Sequence, residues 1–421
     1  MAISVTHAHV STIEDNPAYD VSSSEWNAAH TVTGVAAYEA GCDKGTSFPA
    51  SSVAGQMYYR TDRKTLYQYE NSIWNPVQSF AALTLYVDPN GTDDSTHGFG
   101  SGADAFKTIN YALGQVPPLY GGNVTINIAA GTYTENVEVR GKQPSGPYTL
   151  SLIGTLTSVL DTTMTSGVQG TLQGSTQAEV TKAGAGWTTN AYKYMLCKFT
   201  SGTNNGLYRI IEKNDAAKIT LVGHILAAAP ANGDSFSVFD FGAIIAGTLK
   251  TYSACSISGL RITGATYIRG PIAPLRCRFC NLIFEEQAGS QSFDLCIIES
   301  SSGHTCMVES HAGRLYFAQC FFSNSANSTI TLLVRQAIYA MLVSCVLDNN
   351  GVGSPMGMIC CFGSGEAWFG VVEEMKTILK NTNQVALHAE MGGHFCGKTK
   401  CAFVSVTTQS SAESATYSTV T

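Results

Sequence analysis

The sequence predicts an all-β protein built from repeats that bury a core only by stacking. Three observations carry this. The first is a phrase in which a Cys precedes two large apolar residues and then polar ones: Cys280-Asn-Leu-Ile-Phe-Glu-Glu, Cys296-Ile-Ile-Glu-Ser-Ser, Cys320-Phe-Phe-Ser-Asn-Ser and Cys345-Val-Leu-Asp-Asn-Asn. The last three recur 24 and then 25 residues apart, a period that marks stacked repeat units rather than domains. The second is a charged share of only 13% in 421 residues, against about 25% in ordinary globular chains, so amphipathic helix surface is scarce. The third is 41 glycines among frequent Thr, Ser and Asn, the punctuation of short strands and turns.

Composition also narrows function. A net charge of −7 with 24 Lys and Arg, none clustered, disfavours phosphate-backbone binding, so nucleic acid is not an expected partner. Apolar runs fall short of the roughly 18 to 20 residues of a membrane span, and the N-terminus carries no visible export signal. Most of the 13 cysteines sit within apolar strand phrases, which reads as a column of reduced, buried thiols from a reducing cytosol rather than disulfides. Cys277-x-x-Cys280 and His394-x-Cys396-x4-Cys401 have zinc-ligand chemistry, but they lie too far apart in sequence to argue for a shared site. No metal and no cofactor is expected.

Along the chain, residues 1–54 are polar and irregular and contain Asp20-Val-Ser-Ser-Ser-Glu-Trp-Asn-Ala-Ala-His30. Residues 55–80 read as a small β-hairpin module, Gly55-Gln-Met-Tyr-Tyr-Arg-Thr-Asp followed by Leu66-Tyr-Gln-Tyr and Trp74, with aromatics alternating against polar residues. So short a unit completes its core against neighbouring copies. Residues 81–164 open with Leu85-Tyr-Val-Asp-Pro-Asn-Gly91. Next comes an amphipathic helix carried by Phe106, Ile109, Tyr111, Ala112 and Leu113, and then two alternating strands joined at Ala130-Gly131. Strand, helix, strand, strand is the polar-edged cap that the first coil of a solenoid requires.

Here a resemblance enters. Tyr-Val-Asp-Pro-Asn-Gly, Ala105-Phe-Lys-Thr-Ile and Val124-Thr-Ile-Asn-Ile-Ala-Ala-Gly-Thr-Tyr-Thr-Glu-Asn-Val resemble the opening of the pectate-lyase-like right-handed, single-stranded parallel β-helix. Ser4-Val-Thr-His-Ala-His-Val with Ser24-Glu-Trp-Asn-Ala-Ala-His-Thr-Val resembles the virion-attachment segment of tailed-phage tail fibres and tailspikes, and the aromatic module resembles the neck that follows it. The resemblance covers most of residues 1–160. It implies virion attachment through Trp26, Asn27 and His30, and a virion protein made in the bacterial host cytoplasm.

Residues 165–241 break the coil rhythm with short strands and Gly/Asn turns, similar to a small β-barrel inserted into the β-helix of phage fibre proteins. Such insertions often form a binding face; a steric bumper or trimer contact is the alternative. Coils resume over 242–406, about nine or ten in all at roughly 20 to 25 residues each, and 407–421 is a Ser/Thr-rich tail.

Catalysis on polysaccharide needs paired carboxylates facing one groove. The carboxylates available are Glu285, Glu286, Asp294, Glu299, Glu309, Asp348 and Glu366, and of these Glu286 and Glu299, which close or follow strands of neighbouring coils, are the candidate pair. Trp368, Phe369 and Trp187 are candidate sugar-stacking platforms. The expected function is a tail fibre or tailspike, a parallel homotrimer held to other virion proteins by its N-terminus and binding host cell-surface polysaccharide. A capsid-decorating fibre and a polysaccharide depolymerase, lyase or hydrolase, are the alternatives.

Overall fold

The structure is a computed structural model that describes residues 3–5, 30–32, 42–171, 176–222 and 227–285, and the segments 287–288, 291–300, 305–308, 311–324, 331–335, 338–348, 359–362, 366–369, 377–390, 394–396, 401–412 and 419–420. The chain divides into two compact units, Met1–Phe80 and Ala81–Thr421.

In the first unit, Ile3–Val5 pairs antiparallel with His30–Val32. The aromatic module is a three-strand antiparallel meander, Met57–Arg60, Thr65–Glu70 and Ile73–Ser79, one strand longer than a hairpin. Asn71 and Ser72 both have positive φ (53° and 66°), the requirement of the tight turn whose twist matches its flanking strands. Phe48 stacks on Trp74 at 4.9 Å and meets Tyr67 edge-on at 5.0 Å, while the Arg60 guanidinium lies 4.7 Å over Phe48.

The second unit is all-β apart from its cap and contains a parallel β-helix. Its helix, Ile109–Gln115, begins at Thr108, whose hydroxyl accepts from the Tyr111 amide. The Glu135 carboxylate accepts from the Ile109 and Asn110 amides at 2.7 and 3.0 Å, so two otherwise orphaned helix donors are satisfied from the first coil. Ile109, Ala112 and Leu113 are buried against the coil core.

Among the described residues, two large parallel sheets of 12 and 14 strands run the length of the unit. In one, Leu83–Val87, Val124–Ile128, Leu150–Gly154 and Cys255–Ser258 stack in register, and further strands follow down to Thr419–Val420. The other forms two faces. Gly131–Tyr133 stacks under Ala243–Ile245 and Leu260–Ile268, and Val137–Val139 stacks under Leu249–Thr251 and the end of the same long strand. Each coil therefore contributes to three faces. Val124, Ile126 and Ile128 point in while Thr125 and Asn127 stay half-exposed, the period-two pattern of a strand with one covered face. Gly247 and Gly264 sit at the corner between two faces, where a Cβ would meet the carbonyl of the coil beneath.

The thiols form an inner ladder. Cys277, Cys296, Cys320 and Cys345 are fully buried and free, and they occupy successive rungs: the amides of Ile297, Phe321 and Val346 donate to the carbonyls of Cys277, Cys296 and Cys320. Each Sγ–H donates to the carbonyl two residues before it and to one in the coil below, as Cys345 does to Val343 and Phe317. This is a weak-donor hydrophobe satisfying itself in a core. Burial pushes the Cys277 and Cys320 thiols well up. Immediately before each of these cysteines stands a left-handed residue: Arg276, Leu295, Gln319 and Ser344 have φ of 52°, 52°, 52° and 53°, and Gly259 has 66° at the same corner one coil earlier. The repeated phrase is thus a left-handed corner followed by an inward thiol. One expectation is corrected here. Cys277 is the ladder member, whereas Cys280 is only partly buried and sits opposite Glu299 on the outer face. A bend at Asn281, φ 49°, and the strand's alternation put it there.

Between coils, residues 156–241 form a seven-stranded antiparallel sheet in the order Leu156–Thr163, Ser235–Phe241, Leu196–Phe199, Tyr208–Asn214, Lys218–Leu221, Glu179–Thr181, Ser166–Val168. It starts upstream of residue 165, where the sequence rhythm breaks. Its own core gathers Met164, Val180, Cys197, Phe199, Ile211, Ile219, Leu221, Phe236 and Val238.

Candidate functional site

The insert does not stand apart from the coils. A second apolar cluster joins its Leu196, Ile210, Val222 and Phe241 to the outward residues Ile297, Phe321 and Val346 of three successive coils. The Tyr194 ring stacks on Phe321 at 5.6 Å with 26° between planes, and its hydroxyl lies 2.8 Å from Ser323 Oγ. Arg278 grips both oxygens of Glu299, at 2.8 and 2.9 Å, with its guanidinium 4.8 Å over Tyr194. Arg276, the left-handed corner residue, lies 4.4 Å over Tyr208. At the far edge of the dock, Lys380 of the β-helix is ion-paired with Glu212 of the insert, with side-chain exposures of only 9% and 3%.

Gln177 donates from the insert surface to Glu212 Oε2 at 2.6 Å and to the Leu221 carbonyl at 2.8 Å. It also lines a cavity of about 480 Å³ with Val168, Thr176, Glu179, Thr189, Asn190, Lys213, Asn214, Asp215, Lys218 and Thr220. Apart from the exposed Val168 the lining side chains are polar, and several are held in place. Lys218 pairs with Glu179 at 3.1 Å. Asp215 accepts from the amides of Ala217 and Lys218 at 2.8 Å each, and these two bonds lower its pKa. The Asn214 amide donates to Thr188 and Asp215 carbonyls at 2.8 and 3.0 Å. Hydroxyls, amides and split charges on a rigid sheet suit multiple hydrogen bonds to a hydroxyl-rich ligand. Through Gln177, Glu212 and Lys380, a hydrogen-bonded line runs from the groove to the β-helix.

The residues singled out from sequence fall in different places. Glu299 lies in the dock, both oxygens engaged by Arg278, while Glu286 lies outside the described residues, as do Glu309, Trp26 and Asn27. His30 opens the strand paired with Ile3–Val5, opposite Val5. Trp187 is partly buried in the insert core, edge-on to Tyr192 at 5.8 Å and Phe236 at 6.3 Å. Trp368 and Phe369 lie on the strand Glu366–Phe369, at the register positions of Met341 and Leu342. Of the other carboxylates, Glu285 pairs with Arg269 at 2.6 Å. Burial raises the pKa of Asp294, and Asp348 is 6% exposed on the docking face.

Sequence reasoning missed the dock and the groove residues. One signal was available: Ile297-Ile298, Phe321-Phe322 and Val346-Leu347 put large apolar residues on both faces of a strand, which requires both faces to be covered. Nothing comparable announces the Glu212–Lys380 pair, whose members are 168 positions apart.

No protein-family model and no curated protein matches the chain. Among solved structures, the tailspike protein gp49 from Pseudomonas phage LKA1 is similar at 10% identity, over 81% of this chain and 68% of that one, with a TM-score of 0.21. XylC in complex with xylose is similar at 11% identity over 74% and 68%, TM-score 0.27. The Gp54 tailspike of Acinetobacter baumannii bacteriophage AP22, in complex with capsular saccharide, is similar at 9% identity over 68% and 64%, TM-score 0.17. At such TM-scores the backbones do not superpose as wholes, and the β-helix is assigned from the strand register of this chain.

Proposed function

We propose that this chain is a structural and adhesion protein of a tailed phage or phage-like particle, a tail fibre or tailspike. In this reading it attaches through its N-terminal segment, assembles as a parallel homotrimer and engages host-surface glycan with its β-helix unit. The observation that carries the reading is the insert: a separately cored antiparallel sheet, clamped on a β-helix face by apolar, aromatic and ionic contacts, that presents a groove lined mostly by polar side chains. Rigid placement is what a weak, repeated ligand such as a sugar chain needs, because little conformational entropy is then lost on binding. The N-terminal resemblance supports attachment to a virion.

Adhesion is favoured over cleavage by the state of Glu299. A depolymerase of the two-carboxylate kind needs both carboxylates directed at the scissile bond, and both Glu299 oxygens serve Arg278 beneath the insert. The test is incubation of the purified protein with host surface polysaccharide, following binding and reducing-end release together. Binding without release, weakened by Thr189→Ala and Lys213→Ala in the groove, supports the reading. Release of reducing ends overturns it in favour of a depolymerase, and neither binding nor release favours a capsid or scaffold role.

A further inference from the structure

On the third face of the first coils, away from the dock, the outward positions that follow the strands are Arg140, Tyr252, Arg269 and Glu285. They stand on consecutive rungs: the Tyr252 amide donates to Val139, Arg269 to Thr251 and Glu285 to Ile268. Arg140 lies 4.2 Å from the Tyr252 ring centre and Arg269 lies 5.2 Å from it. The ring comes from the rung between them, so it is sandwiched. Beside this column Lys250 lies 5.5 Å over Tyr267. Both arginines reach solvent, with side-chain exposures of 60% and 44%.

We propose that this cation–tyrosine ladder is a binding site for a linear acidic polysaccharide carrying one carboxylate per disaccharide. This deepens the reading that the chain engages surface glycan and rests on it. Stacking on an aromatic ring restrains a guanidinium, whose five donors let it hold a protein carboxylate and take a ligand carboxylate through its remaining N–H groups. Two rungs separate the arginines, about 10 Å at the spacing of paired strands, which is the length of a disaccharide. Consecutive carboxylates of such a polymer therefore meet consecutive guanidiniums. Two carboxylates belong to the patch, Glu138 at 3.2 Å from Arg140 and Glu285 at 2.6 Å from Arg269. They steady the guanidiniums from the outer ends, and Arg140, Lys250 and Arg269 leave the patch net positive on a chain of net charge −7.

The experiment uses the full chain and two probes, hyaluronate, with one carboxylate per disaccharide, and neutral dextran, by calorimetry at low and moderate salt. The expected result is salt-sensitive binding of hyaluronate and none of dextran, with at least about a tenfold loss in both Arg140→Ala/Arg269→Ala and Tyr252→Ala. Lys44→Ala, an exposed cation of the first unit, leaves hyaluronate binding unchanged, and Arg140→Lys/Arg269→Lys recovers only part of it, separating the stacked fork from bulk charge. Hyaluronate bound equally well by the double alanine variant, or not bound by the wild type, overturns the proposal. In either event, binding of host polysaccharide by the wild type leaves the adhesion reading standing. Ladder-dependent hyaluronate binding without any host-polysaccharide binding sinks that reading instead and leaves the ladder.

Discussion

Two outer faces of one β-helix have been put to opposite uses. Over the coils of Ile297, Phe321 and Val346 the outward residues are apolar and the insert covers them. Over the coils of Arg140, Tyr252 and Arg269 they are charged and aromatic and remain exposed. The inward residues are buried on both, Val139, Thr251 and Ile268 on one face and Cys296, Cys320 and Cys345 on the other. In a parallel coil the inward positions specify the fold, and the outward ones are free to specify what the surface meets. The docked face therefore contributes to stability while the open face is left available to a ligand, a division that substitutions can break.

The largest effect belongs to Glu212 and Lys380. A nearly fully buried ion pair is strongly destabilised when one partner is removed, by about 3–5 kcal/mol, because the other charge is left desolvated and alone. Lys380→Ala is expected to lower stability by that order in chemical denaturation. If the insert and the coils share one cooperative transition, that transition splits in two. The double replacement Glu212→Leu/Lys380→Leu should recover most of the loss, and a double variant as unstable as the single one would contradict the argument. Next comes Phe321→Ala, which removes the ring between Tyr194 and the insert cluster and is expected to cost about 3 kcal/mol. Proteolysis within residues 156–241 is the accompanying readout, since loss of the dock exposes that sheet.

The fold class was legible because a parallel coil repeats its inward residue types, and the Cys phrases display them. Where the reading slipped, local alternation was the cause. Cys277 and Cys280 are three apart in sequence, and only the corner at Arg276 and the bend at Asn281 decide that the first points in and the second out. The dock was half legible: Phe321-Phe322 marks a strand covered on both faces but does not name the cover. Leu196, Ile210 and Val222, which supply it, lie in another sheet far earlier in the chain. The open ladder was invisible for a different reason. Arg140, Tyr252 and Arg269 follow their strands at intervals broken by the whole insert, so no period in the sequence connects Arg140 to the other two.

A smaller effect, of known sign, is expected at Asp294, whose pKa is raised chiefly by burial, against the pull of Arg209, the Leu295 amide and Arg276. A carboxyl whose folded pKa lies above its unfolded value stabilises the fold fully only below the unfolded value. That contribution is lost as pH rises through the folded value. At neutral pH the native state therefore carries a disfavoured charge, which Asp294→Asn removes while keeping an acceptor for the Leu295 amide. The expectation is a raised thermal midpoint at pH 7 that converges with the wild type as pH falls to about 4 and below. A variant less stable than wild type at pH 7 would mean that the carboxylate's attraction to the arginines outweighs its burial.

The smallest stability effect completes the comparison from the open side. Arg269→Ala removes an exposed ion pair with Glu285 and a guanidinium stacked on Tyr252. Solvent screening limits such a pair to roughly 0–1 kcal/mol. Its unfolding midpoint should thus move little beside that of Lys380→Ala, although both remove one cation from an outer face of the same β-helix. Measured side by side, the two variants isolate burial as the variable. If Arg269→Ala destabilises as much as Lys380→Ala, the ladder is holding coils together, and its exposed arginines belong to the architecture rather than to recognition.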